Sequence, residues 1–178
     1  KDYSTHVAIK TENDDIKGIP FTADDIKKLW ANSGNPICAN ILILIYSGLR
    51  ISEYVSAEIN LKDRYFFGGV KTEAGKNRYV PIHSSILPLI RQNPNRLNCT
   101  SVNFRLKLYE LLERLDIEKH TPHDCRHTFA MLCDENGIKE TDKKMMIGHA
   151  FQDISNGIYG HRTLGYLKEQ IELIKVNN

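Results

Sequence analysis

Thr121-Pro-His-Asp-Cys-Arg-His-Thr-Phe129 is the stretch on which the reading of this chain turns. Proline directly after threonine suits the first turn of a helix, where the N–H that proline lacks would have no intrahelical partner. The spacing predicts a helix over residues 123–132, and His123 and Arg126, at i and i+3, then share a face. Arginine carries five donors in a rigid fork and keeps its charge at neutral pH, which suits a phosphate. A helix start adds oriented N–H groups and a partial positive charge. Arg50 follows Tyr46-Ser-Gly-Leu49 and also stands where a helix is expected to begin.

Outward from these two arginines the chain reads as mostly helical. Thr22-Ala-Asp-Asp25 has the form of a capping box, followed by an apolar stripe of Ile26, Leu29 and Trp30. A second helix is expected from Pro36 through Ile41-Leu-Ile-Leu-Ile45 to Gly48, apolar on all faces and therefore central. A short helix after Arg50 carries Glu53, Tyr54 and Val55. Tyr65-Phe-Phe67 and Arg78-Tyr-Val-Pro-Ile82 read as two strands around the turn-rich Lys71-Thr-Glu-Ala-Gly-Lys76, a β-hairpin with Pro81 at an edge or a strand end. Leu106, Leu108, Leu111, Leu112 and Leu115 form one amphipathic stripe. Further helices are expected over residues 142–147 and 164–174, the last with Leu167, Ile171 and Ile174 on its apolar face. That face either packs on its own core or docks on a neighbouring subunit. The fold class is α+β, mostly α, a helical domain with a small antiparallel sheet.

Composition sets the bounds. The chain has 178 residues, 41% hydrophobic and 26% charged, as expected for one soluble globular domain. No apolar run approaches the roughly 20 residues of a membrane span, and the longest, residues 37–46, contains Asn40. The polar start lacks a secretory leader and begins at Lys1, so the chain reads as a fragment of something longer, cytoplasmic and without a membrane partner. Cys38, Cys99, Cys125 and Cys133 show no paired spacing and are expected to be free thiols. The net charge of +2, from 24 basic and 22 acidic residues, neither demands nor excludes a polyanion.

Singly, each polar residue has an ordinary reading: His123 as a helix cap, Lys71 as a solvated turn residue, Tyr159 as a half-buried aromatic. Their order changes this. Gly48-Leu-Arg50-Ile-Ser-Glu53, then Lys71 before Val80-Pro-Ile82, then His123-Asp-Cys-Arg126-His-Thr-Phe129, Gly148-His149 and Ile158-Tyr159-Gly-His161 together resemble the tyrosine recombinase (phage integrase) family. The matches run from Gly48 to His161, most of the chain. The resemblance implies a catalytic set of Arg50, Lys71, His123, Arg126, His149 and Tyr159. Arg50 and Arg126 would hold the scissile phosphate, Lys71 would protonate the departing 5′ oxygen, and His123 would bond and transfer protons. His149 would support the phosphate and Tyr159 would be the nucleophile. Glu53 matches an acidic position expected to orient an active-site arginine. Lys76 competes with Lys71, and Tyr166 with Tyr159, although Tyr166 lies in the apolar stripe of the last helix.

The resemblance further implies a bacterial, DNA-associated enzyme that breaks and rejoins double-stranded DNA without metal, ATP or other cofactor. The full-length protein would work as a homotetramer on two DNA sites. Residues 1–20 would be the end of an interdomain linker and residues 21–178 the catalytic domain, with the N-terminal core-binding domain outside the chain. Type IB topoisomerases share much of this chemistry. From another class, His123 and His127 at i, i+4 have the spacing of a helical zinc pair. A zinc hydrolase would want glutamate where Asp124 stands and a third ligand such as Cys133 or His149.

Overall fold

Residues 38–47 are all buried, and they belong to one helix, α2 (Pro36–Ser47), around which the domain is built. The computed structural model describes residues 18–68, 78–97, 100–148 and 164–176. The expected linker up to residue 17, and Cys99, lie outside them. The Asn35 side chain caps α2 by accepting the Ile37 N–H at 2.8 Å, and Pro36 fills the first turn. A helix apolar on every face leaves no side for water. Helices α1 (Ala23–Ala31), α4 (Leu87–Gln92), α5 (Ser101–Arg114) and α6 (Pro122–Glu135) accordingly pack around it.

The capping box of α1 forms as the sequence predicts. Thr22 Oγ1 accepts the Asp25 N–H at 3.2 Å, and the Asp25 carboxylate accepts the Thr22 N–H at 2.9 Å. Ahead of this cap, residues 19–21 run along α6, where Asp124 accepts the Ile19 N–H and Thr128 Oγ1 accepts the Phe21 N–H. The short helix after Arg50 is α3 (Ile51–Ser56).

The sheet is larger than the expected hairpin. Strands β1 (Glu58–Asn60), β2 (Tyr65–Gly68) and β3 (Arg78–Pro81) pair antiparallel in that order, with Glu58 opposite Phe67 and Gly68 opposite Arg78. β1 is three residues with no apolar alternation, so no periodicity marks it. In β2, Phe66 points into the core against the edge of Tyr54, while Phe67 meets Tyr79 on the opposite face. Pro81 ends the edge strand β3, where its missing donor costs nothing.

Two other features depart from expectation. A 3-10 turn (Ser84–Ile86) and α4 follow the sheet and are not among the expected elements, although Pro88 stands in the first turn of α4. On α5, Leu106 is 56% exposed, and Phe104, Leu108, Leu111 and Leu112 are the buried residues. Leu106 lies two residues from both Phe104 and Leu108, roughly 200° around the helix. The stripe therefore takes the larger Phe104 and turns Leu106 outward.

The remaining helices are α7 (Glu140–Ile147) and α8 (Leu164–Ile171). Leu167, Ile171 and Ile174 are buried, and α8 packs on β3 and α7 of its own chain. Glu172 secures this end by accepting the Ser84 N–H and hydroxyl and a bond from Arg64. Cys38, Cys125 and Cys133 are buried free thiols. Burial pushes Cys38 up to about 11 and Cys133 to about 12. Among the described residues no helix is long and apolar enough to cross a membrane.

The close approach of α6 to the end of α2 depends on Gly48. It caps α2 in the left-handed region, at φ +66°, and a Cβ there would lie 2.5 Å from the Phe129 ring. Gly48→Ala is expected to cost about 2–4 kcal/mol from backbone strain and overpacking. Urea denaturation should show a lower midpoint at unchanged slope. An unchanged midpoint would mean that Phe129 yields without cost.

Candidate active site

The first turn of α3 is held by an exchange between its ends. Arg50 is the residue before the helix, and its N–H donates to Glu53 Oε2 at 2.9 Å. Its guanidinium turns back so that Nη1 reaches Glu53 Oε1 at 3.1 Å, leaving the side chain 39% exposed. Glu53 itself is 1% exposed. Such a carboxylate needs several donors to be stable out of water. Arg78 on β3 supplies two, Nη1 to Oε1 at 3.1 Å and Nη2 to Oε2 at 3.0 Å. Arg126 Nη1 stands 3.7 Å from Oε2. Burial alone would raise the Glu53 carboxyl. The bonds from Arg78 and the Arg50 N–H, with the charges of both arginines, hold it below its ordinary value.

Arg126 lies in the second turn of α6 and is buried, not at the helix start as its sequence context suggests. Its Nη1 donates to the Gly48 carbonyl at 2.8 Å and its Nη2 to the Ile147 carbonyl. It thereby joins the C-terminal ends of α2 and α7, where carbonyls lack intrahelical donors. Burial and the Arg50 charge lower its pKa to about 10, which leaves it cationic at neutral pH.

His123, one turn earlier, is exposed. Partial burial and the charges of His127, Arg126 and Arg50 lower its pKa, against an opposing pull from Asp124. The ring is therefore neutral at pH 7 and able to accept a proton. A cavity of about 390 Å³ opens between the start of α3, the start of α6 and α5. Arg50, His123, Arg126 and Arg105 line it together with Thr121 and Ser52.

The structure thus brings Arg50, His123 and Arg126 to one cavity. Lys71, His149, Tyr159 and the flanking His161 lie outside the described residues. Lys71 falls in sequence between β2 and β3, and His149 directly follows Gly148, the left-handed cap of α7. Tyr166 donates to Asp142 at 3.1 Å, so it has a packing partner. The zinc reading gains no geometry. The His123 and His127 rings meet edge to face at 4.7 Å, and Asp124 is engaged by the Thr121 N–H at 2.6 Å. Among the described residues no three candidate ligands come together.

Comparison with known proteins bears on this site. No family model matches the chain. Tyrosine recombinase XerA of Pyrococcus horikoshii is 29% identical over 197 residues, covering 95% of this chain and 67% of that protein. XerA of Pyrococcus furiosus is 30% identical, covering 74% of this chain and 52% of that protein. XerD of Oceanobacillus iheyensis is 30% identical, covering 75% and 52%. The chain belongs to the tyrosine recombinase family.

The tyrosine recombinase fold is shared with the integrase of mycobacterium phage Brujita at a TM-score of 0.71, with 20% identity over 88% of this chain and 58% of that one. The Tn1549 transposon integrase, solved in complex with transposon right-end DNA, gives 0.62 at 19% identity over 86% and 65%. The chain spans roughly half to two thirds of the length of these relatives. Two tyrosine recombinase side chains escaped the sequence reading. Arg105 has no role in it, and Arg78 is named only as the first residue of a strand. Only its place beside the Val80-Pro-Ile82 strand end hinted at more.

The Glu53 cluster has a pH signature. A carboxyl whose folded pKa is depressed adds stability above its unfolded value, ordinarily 4.5, and loses it as pH falls through the folded value. Glu53→Gln should cost about 3–5 kcal/mol at pH 7, because three arginines lose a buried counter-charge. It should also shrink the loss of stability on acidification below about pH 4.5. Urea midpoints at both pH values read this, and parallel curves for the two proteins would contradict it.

Proposed function

We propose that this chain is the catalytic part of a site-specific DNA recombinase or integrase that cuts and rejoins strands through a 3′-phosphotyrosine. The observation that carries the reading is the convergence of Arg50, Arg126 and a neutral His123 on one cavity, with Glu53 behind the arginines. A phosphodiester displacement builds charge on the non-bridging oxygens, and fixed cations aimed there favour the transition state over the ground state.

In this mechanism Arg50 and Arg126 hold the scissile phosphate of double-stranded DNA. Tyr159 attacks phosphorus through its phenol oxygen, with His123 taking up or relaying the proton. The bond to the 5′ oxygen breaks, and Lys71 protonates that oxygen as it leaves. His149 supports the phosphate. The energy of the broken bond stays in the phosphotyrosine, so the free 5′ hydroxyl of a second strand can attack it without ATP or metal.

The family supports a homotetramer on two DNA sites, acting in the compartment that holds the DNA. The phage and transposon integrases among its structural neighbours support a role in integration or excision of a mobile element. Residues 1–20 are assigned to the end of an interdomain linker and 21–178 to the catalytic domain. A separate N-terminal domain would supply much of the grip on DNA.

The test is covalent trapping on a pool of nicked duplexes with randomised arms, recovered under denaturing conditions and sequenced. Wild-type protein should yield an adduct and Tyr159→Phe none, with DNA binding spared. An adduct with Tyr159→Phe would mean that another residue is the nucleophile. Arg126→Ala should slow adduct formation by about 10²–10³ or more. DNA binding by residues 1–178 alone should be weak and fall steeply with salt, and tight binding in high salt would contradict the domain assignment.

A further inference from the structure

Arg78 is absent from the cavity wall yet is the one side chain that meets both oxygens of the carboxylate behind it among the described residues. Its two terminal nitrogens meet the two oxygens of Glu53 end-on, at 3.1 and 3.0 Å. Its Nε donates to the Met146 carbonyl at 3.2 Å, near the end of α7. The side chain is 9% exposed. Gly148 closes over the guanidinium, and a Cβ there would lie 2.7 Å from Nη1. By contrast, the Arg50 guanidinium reaches one Glu53 oxygen with one nitrogen while its backbone N–H holds the other, and Arg126 stands 3.7 Å away.

We propose that Arg78 is a positioning residue for strand cleavage. Through Glu53 it sets where the Arg50 and Arg126 guanidiniums stand, and through Met146 it holds the end of α7 on the same anchor. The inference rests on the recombinase reading above. A two-point fork fixes both the place and the plane of a carboxylate, which a single lysine ammonium cannot do. With Arg78 in place, Glu53 has one orientation, and Arg50 meets it at the mouth of the cavity. Without it, Glu53 keeps only the bonds from Arg50 itself, so the two side chains lose their link to the sheet and can shift together. Arg78 also joins two segments that flank proposed catalytic residues. It opens the strand after the Lys71 stretch and ties the helix end that leads through Gly148 to His149. Misplacement by about an ångström is enough to cost roughly 100-fold in rate.

The experiment uses the full-length protein and one nicked duplex recovered from the randomised pool, under single-turnover conditions at saturating DNA. Arg78→Met should slow cleavage about 100-fold while the DNA dissociation constant stays within about threefold. Arg78→Lys should recover little of this, since it restores charge without the fork. The pH–rate profile supplies the readout that simple packing would not move. Glu53 faces Arg50 at the cap of α3, Arg78 on β3 and Arg126 on α6, and His123 lines the same cavity as Arg50 and Arg126. Losing Arg78 should therefore move the acid limb of the profile toward neutral pH. The double variant Arg78→Met with Glu53→Gln should cleave no more slowly than Glu53→Gln alone, because both changes break one linkage. It also leaves no unpaired buried carboxylate, so it serves if Arg78→Met does not fold.

An Arg78→Met rate near wild type with an unchanged profile would overturn the proposal. So would a double variant slowed by the product of the two single effects. Failure of the wild-type protein to form any adduct would instead sink the recombinase reading.

Discussion

The side-chain carboxylate of Glu53, shut away from water among three guanidinium groups, is the constraint on which the rest of the structure depends. An ionised carboxylate in a low-dielectric interior is tolerable only when its oxygens are met by donors. Here the donors come from the start of α3 and the edge strand β3, and the second turn of α6 adds the Arg126 charge at 3.7 Å. Satisfying one charge therefore fixes the relative placement of a helix, a sheet and a second helix. The cavity lies where those elements meet. Its arginines are held from behind, with the outward side of Arg50 left for a ligand.

Packing around α2 brings those elements into range. α2 has no polar face, so neighbours must cover it on all sides, and α6 covers it near its C-terminal end. The left-handed turn at Gly48 stops the helix without a side chain, and Phe129 moves into the space. Arg126, one turn before Phe129, then reaches the Gly48 carbonyl. Core packing and site geometry are consequences of the same contact. This is why a residue proposed to bind phosphate is also bonded to two helix ends.

Much of this was legible because the signals were local. Thr22 with Asp25, Pro36, and Gly48 each mark a helix boundary within a few residues. The order of Arg50, His123 and Arg126 among family motifs pointed to one site, and the structure gathers those three. What escaped the sequence was set by tertiary competition. Leu106 fits a leucine stripe as well as its neighbours do, but Phe104 fills the core and turns it outward. β1 is too short for alternation to show and exists because β2 offers it an edge. Arg78 looked ordinary because its partner, Glu53, is 25 residues away in sequence. A buried acid in a helix's first turn implies a cation, but not which one.

Among the described residues three guanidinium groups share the Glu53 carboxylate. Arg126 has a lowered pKa chiefly because it is buried, and the neighbouring charges of Arg50 and Arg78 lower it further. An anion seated in the cavity would offset those positive charges, so binding and folding are linked: the ligand stabilises the native state by mass action. On the proposed reading, a phosphate would be a further anion for the guanidiniums of this cluster. Melting temperature in sulfate or phosphate would rise for reasons apart from general salt effects.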